Sequence, residues 1–134
     1  MHPGFESIQA DLGDAYAWSG AAPGKAADHY RTALSLSRAS LQVNPRDLDS
    51  LMVAAYCAAA LGEKQEALRS LNEAMQHAPE DAEVNYYAAR VYARLGNAPA
   101  AREALQTAIA QGYSRADIDT APDLARIANE LPAQ

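Results

Sequence analysis

The sequence predicts an all-α chain: an α-solenoid of three helical hairpins closed by a C-terminal capping helix. Alanine makes up 32 of the 134 residues, while Val, Ile and Thr together supply 11. Alanine loses least on entering a helix, and β-branched residues are what strands are made of. The chain also repeats itself. Laying Leu48–Asp81 over Ala82–Arg115, a shift of 34 residues, aligns Ala54/Ala88, Ala55/Ala89, Ala59/Ala93, Leu61/Leu95, Gly62/Gly96, Ala67/Ala101, Leu71/Leu105 and Ala74/Ala108. All but the glycines are small or apolar, and many stand three, four or seven apart, the period of a helix rather than a strand. A two-helix unit cannot bury its apolar face alone, so stacked units must share a core.

Taken in order, residues 1–5 read as an N-terminal tail. Residues 6–47 form a first, irregular unit of 42 residues, eight more than the period. One extra residue falls in SGAAPGK, and seven lengthen the second helix through RTALSLSRASLQV. Seven residues add about two turns, roughly 10 Å, so this helix overhangs its neighbour without rotating its faces. Residues 48–81 and 82–115 are regular units. Their first helices stop at Gly62 and Gly96, where glycine accepts the left-handed conformation that follows a helix. Their second helices run to about Gln76 and Ala110. Pro45 and Pro79 separate the units, and Asp47 and Asp81 serve as N-caps of the helices that follow. Ala55, Ala67, Ala74, Ala89, Ala101 and Ala108 let helices approach closely, with Leu71 and Leu105 filling the space between them. Residues 116–134 hold a short turn, a capping helix from about Pro122 to Leu131 started by proline, and a tail. Leu124, Ile127, Ala128 and Leu131 form its apolar stripe, with Asp123, Arg126, Asn129 and Glu130 mostly opposite.

Composition then removes several functions. Net charge is −6, with 11 scattered Lys and Arg against 17 Asp and Glu, the reverse of the basic face that nucleic-acid binding uses. The longest apolar run, Leu51–Leu61, is about half a membrane span, so no membrane is expected. The start, MHPGFESIQAD, has neither the charged head nor the apolar stretch of a signal peptide, and the expected location is cytoplasmic. Cys57 is the sole cysteine; it falls on an expected buried face and reads as a small hydrophobe, not a nucleophile. His2, His29 and His77 lie far apart, and no pair has metal-ligand spacing. The glycines mark helix stops or lie in SGAAPGK, leaving no phosphate loop. Glu80, Asp81 and Glu83 occupy a helix N-terminus, where they complement the dipole. The chain is read as a non-enzyme without cofactor or metal.

The period and its positions resemble the tetratricopeptide repeat, whose pattern is W-x2-L-G-x2-Y…A-x3-F…A-x4-P. Leu12, Gly13, Tyr16, Ala26, Tyr30 and Ala33 fit a first unit. Leu51, Ala54, Ala55, Ala58, Ala67, Leu71, Ala74 and Pro79 fit a second, and Ala88, Ala89, Tyr92, Ala101, Leu105 and Ala108 a third. Gln9 and Asn85 depart from the pattern at the aromatic position, Ala58 at the tyrosine and Tyr113 at the proline. The resemblance covers roughly Glu6 to Arg115 and implies a scaffold for protein–protein interaction.

In such an array the first helices line a concave groove, and the 34-residue phase sets its rows: Ala10, Met52 and Tyr86; Asp14, Tyr56 and Arg90; Trp18, Ala60 and Arg94. Asp49 and Glu83 lie one turn earlier. The expected contacts to a protein or peptide are Asp14, Trp18, Asp49, Met52, Tyr56, Tyr86, Arg90 and Arg94, because exposed aromatic and arginine anchors dominate interface energies. Acids toward the first two units and arginines in the third suit a segment whose acidic groups meet the third unit. On this reading Tyr56→Ala with Arg90→Ala weakens a partner and leaves the melting temperature nearly unchanged. Some tetratricopeptide domains clamp the C-terminal carboxylate of heat-shock chaperones with lysines and asparagines. The matching positions, Ala10, Asp14, Val53, Glu83 and Tyr87, lack those donors, so that function is not expected.

GDAYAWSG, LQVNPRD and AQGYSRADIDTAPDLARI together resemble the C-terminal tetratricopeptide tails of bacterial multidomain regulators, where such repeats follow a kinase, cyclase or winged-helix domain. This implies an alternative, a regulatory domain of a larger bacterial signalling protein with MHPGFES at a linker. A homo-oligomer assembled through the overhanging helix, by Leu34 and Leu41, is a third possibility.

Overall fold

The computed structural model describes residues 5–19, 23–119 and 122–131. The tail over 1–4 with His2, the corner over 20–22, and the side chain of Trp18 lie outside the described residues.

Every regular element described is a helix: α1 Phe5–Ser19, α2 Pro23–Val43, α3 Leu48–Ala60, α4 Lys64–His77, α5 Ala82–Arg94, α6 Ala98–Ala110, α7 Arg115–Asp119 and α8 Pro122–Asn129. Helices α3 and α5 begin 34 residues apart, as do α4 and α6. The α2 helix has 21 residues against 14 in α4, the seven-residue extension expected from the sequence. The chain divides into two compact units, Met1–His77 and Ala78–Gln134.

Local chemistry accounts for the helix ends. The Asp47 carboxylate accepts from the Ser50 N–H at 3.4 Å, and that of Asp81 from Glu83 and Val84 at 2.9 and 3.2 Å. These bonds satisfy amides that have no partner within the helix. At the other end Gly62 and Gly96 take φ of 81° and 79°. The Glu63 N–H reaches back to the Ala58 carbonyl at 2.8 Å and the Gly62 N–H to Ala59 at 3.1 Å, the paired bonds of a Schellman stop. Gly96 and Asn97 repeat them on Ala93 and Tyr92, and Gly112 and Tyr113 on Ile109 and Ala108. Asn97, which the sequence reading did not single out, caps α6 by accepting from the Ala100 N–H at 3.2 Å.

In the first unit α1 packs on α2, α2 on α3 and α3 on α4. Ala33, Ala55, Ala67, Leu71 and Ala74 are all 0% exposed. In the second unit α5 packs on α6, and α8 lies on both, over a core that includes Ala89, Ala101, Leu105 and Ala108. Truncating Leu71 or Leu105 to alanine would cost about 2–5 kcal/mol.

Leu124, Ile127, Ala128 and Leu131 bury the inner face of α8, while Arg126, Asn129 and Glu130 stay exposed. The Arg102 guanidinium holds Glu130 at 2.9 Å, and Arg115 donates to the Ala128 carbonyl at 2.9 Å. Where the sequence reads only a turn, RADID forms the five-residue α7. Burial of Ile118 to 0% exposure anchors it.

Candidate functional site

The first helices carry every expected contact residue, and the structure buries most of them. In the first unit Asp14 is 4% exposed, Met52 3% and Tyr56 1%. The exposure that the repeat phase predicts at these positions is therefore absent, and for Asp14 and Tyr56 the reason is polar. Oδ1 of Asp14 accepts from the hydroxyls of Tyr30 and Tyr56, each at 2.5 Å. The two rings meet edge to face, 6.2 Å between centroids at 76°. A buried carboxylate is tolerated where such donors replace its water, so Asp14 ties α1 to α2 and α3. Gly13 makes this possible, because a Cβ there would stand 2.7 Å from the Tyr30 ring. Asp49, in the first turn of α3, is exposed as expected.

In the second unit Tyr86 and Arg90 are each 7% exposed, again against expectation. Tyr86 stacks on Tyr113 with centroids 4.2 Å apart and planes at 12°. The Arg90 guanidinium lies over Tyr86 at 5.8 Å and over Tyr87 at 5.9 Å, within cation–π reach. Arg94 and Tyr87 are half-buried and Glu83 is exposed. Glu83, Tyr87, Arg90 and Arg94 follow one another along one stripe of α5 at helical spacing.

Two departures from the repeat pattern have structural partners that the period does not signal. The Asn85 amide donates to the Gln111 side chain at 2.8 Å and to the carbonyls of Asp81 and Pro79 at 3.2 and 3.3 Å. Gln111 donates to the same Pro79 carbonyl at 3.4 Å. Tyr113, at the proline position, supplies the ring beneath Tyr86. Both tie α5 to the turn after α6.

The remaining candidates for chemistry are packed or isolated. His29 Nδ1 donates to Gln9 at 2.8 Å, and its ring stacks on Tyr16 at 5.3 Å. His77 is exposed at the end of α4, and Cys57 is buried. Among the described residues no group of three His, Cys, Asp or Glu side chains could hold a metal ion. No described helix is long and apolar enough to cross a membrane.

Successive helical hairpins, glycine stops and a 34-residue helix phase define an all-α helical-repeat protein. Residues 62–121 match the family model of the tetratricopeptide repeat. That match supports a tetratricopeptide-repeat protein, and the repeat suggests a protein–protein interaction module. Neither the comparison with curated proteins nor that with solved structures returned a match.

Proposed function

We propose that the chain is a non-catalytic binding module that holds a protein or peptide segment against α5 of the second unit, through Tyr87, Arg94 and Glu83. The observation that carries this reading is the aromatic platform: Tyr113 stacked on Tyr86, with Arg90 over Tyr86 and Tyr87. Rings held in place before binding lose little freedom when a partner arrives, which is how aromatic and arginine anchors contribute most. Tyr86 and Arg90 support this face from beneath, and Tyr87 and Arg94 present it. With Glu83 at the N-terminal end of the stripe and Arg94 at the other, the fitting segment carries acidic groups toward Arg94. In the first unit Asp14, Met52 and Tyr56 set the orientation of helices, and Asp49 is the exposed acid left for a partner.

The test is affinity capture from source lysate, followed by titration of the captured protein against wild type and Tyr87→Ala/Arg94→Ala. Losing two anchors should weaken binding by about 30-fold or more, as one hot spot alone is worth about 2 kcal/mol. Tyr87 packs edge-on against Tyr86 and under Arg90, so the variant should melt somewhat lower, and both proteins are titrated at a temperature where circular dichroism shows them fully folded. Equal affinity for both proteins would overturn the assignment. In the regulatory-domain alternative the same face would dock on a covalently attached catalytic domain, and a blot of native lysate would then show a band far above 14.3 kDa.

A further inference from the structure

The α2 helix outruns its neighbours, and its extra turns form one wall of a cleft on the first unit. The cleft has a volume of about 410 Å³ and is lined by Arg38, Leu41, Gln42 and Pro45 on one side and by Leu51 and the α4 residues Glu66, Arg69, Ser70 and Glu73 on the other. Its apolar components, Leu41, Pro45 and Leu51, sit between polar rims. Arg38 closes one end by gripping Glu66 with two hydrogen bonds. At the end of the overhang Val43 is 88% exposed, one of two large hydrophobics exposed among the described residues.

The charges around this cleft match themselves. Arg69 and Glu73 are exposed, one turn apart on α4. Arg69 acts on Glu66 through space, but neither Arg69 nor Glu73 makes an ion pair or hydrogen bond within contact distance among the described residues. Opposite charges one turn apart on a single helix are self-complementary when that helix meets its own copy antiparallel, because Arg69 then faces Glu73 in both directions. That is the property an isologous two-fold interface requires. The overhang fits the same axis. Helices α2 and α4 each pack on α3 as hairpin neighbours, and so run parallel. Arg38 pairs with Glu66 at an offset of 28 residues. The same offset sets Val43 level with Leu71, midway between Arg69 and Glu73. The apolar tip and the charge pair therefore stand at the same height along the two helices.

We propose that this α2/α4 face is the interface between two copies of the chain, α4 antiparallel to α4, with Arg69 of each copy meeting Glu73 of the other. The exposed Val43 at the α2 tip and the cleft residues Leu41 and Pro45 are covered beside that contact. Leu34, expected from the sequence as part of such a contact, is 4% exposed and stays in the core. The face shares no residue with the α5 stripe and does not depend on it.

Sedimentation velocity on the full chain from about 1 µM to about 1 mM, the range of weak association, tests this. The weight-average mass should rise from 14.3 kDa toward twice that value. Val43→Asp should weaken association at least tenfold. So should Arg69→Glu, which turns two attractions into two repulsions. The swap Arg69→Glu/Glu73→Arg should restore it to within about threefold, since it rebuilds both pairs. All three substitutions are on exposed side chains, and circular dichroism checks that the fold is kept. A mass that stays at 14.3 kDa throughout overturns the proposal. Association untouched by Val43→Asp or Arg69→Glu does the same, and failure of the swap to rescue overturns the antiparallel pairing.

Discussion

Gly13→Ala should destabilise the first unit, although alanine is the better helix former by about 1 kcal/mol. The methyl group would lie 2.7, 2.8 and 3.0 Å from three atoms of the Tyr30 ring, closer than carbon atoms approach. The ring has nowhere to retreat. It is 3% exposed, its hydroxyl is fixed to Asp14 at 2.5 Å, and its edge rests against Tyr56. Overpacking of this kind costs about 1–3 kcal/mol. Displacing the hydroxyl removes part of a hydrogen bond to a charged acceptor, a bond worth about 1.5–3 kcal/mol. Subtracting the helix gain leaves a net loss of about 2 kcal/mol, or a melting temperature lower by roughly 8 °C for a chain of this size. Urea denaturation followed by circular dichroism measures it. A Tyr30→Ala background isolates the cause: with the ring gone, Gly13→Ala should be neutral or stabilising by up to about 1 kcal/mol. Stabilisation by Gly13→Ala in the wild-type background would refute the close-approach argument.

Three further substitutions follow from single features. The Ser37 hydroxyl is fully buried and makes no hydrogen bond among the described residues; Ser37→Ala should raise stability by about 1 kcal/mol, and an unchanged or lower melting temperature would count against it. Gly96→Ala forces a side chain into φ of 79° and should cost about 1 kcal/mol in the second unit, read from the same denaturation curves. The Arg38 guanidinium, by its hydrogen bond, holds the Glu66 carboxyl below its ordinary range. The lowered folded pKa means the pair's contribution is full above the unfolded value of about 4.3 and fades as pH falls through the folded one. Arg38→Gln should therefore lose about 1 kcal/mol or less at pH 7, since the Arg38 side chain is 54% exposed and water screens the pair from that side, and nothing once Glu66 is protonated. A difference from wild type that persists in strong acid would point to packing instead.

What could be read in the sequence was whatever a helix encodes locally. Ala55 and Ala89, or Leu71 and Leu105, are buried because the 34-residue period brings each to an equivalent interface. Asp81 caps α5 and Gly62 ends α3 because the next few residues suffice to set each end. Exposure on the first helices was not legible in the same way. Phase says which face of a helix a residue occupies, but not what covers that face. Asp14 is buried by hydroxyls 16 and 42 residues away, and neither tyrosine advertises its partner. Tyr113 and Asn85 looked like defects in the pattern because the pattern contains no slot for a contact between them and the rest of their own unit. Trp18 remains an expectation from the phase alone.

The burial of Tyr56 and Arg90 changes what a loss of binding at these residues would mean. Tyr56→Ala removes a ring that is 1% exposed, which costs about 3–5 kcal/mol in a core that cannot collapse around the gap. It also takes one donor from the Asp14 carboxylate. Arg90→Ala uncovers two tyrosine rings. The pair of substitutions should therefore lower the melting temperature, and any partner lost with it would report unfolding rather than a contact. Tyr56→Phe separates the two effects. It keeps the ring and removes the hydroxyl, deleting the bond to Asp14, worth about 1.5–3 kcal/mol, while the α5 stripe stays intact. If a captured partner binds Tyr56→Phe as tightly as wild type but loses Tyr87→Ala/Arg94→Ala, the first unit's tyrosines act in folding and the second unit's stripe acts in recognition. Should Tyr56→Phe release the partner at temperatures where the protein is still folded, Tyr56 belongs to the binding surface after all, and the division of labour drawn from burial is wrong.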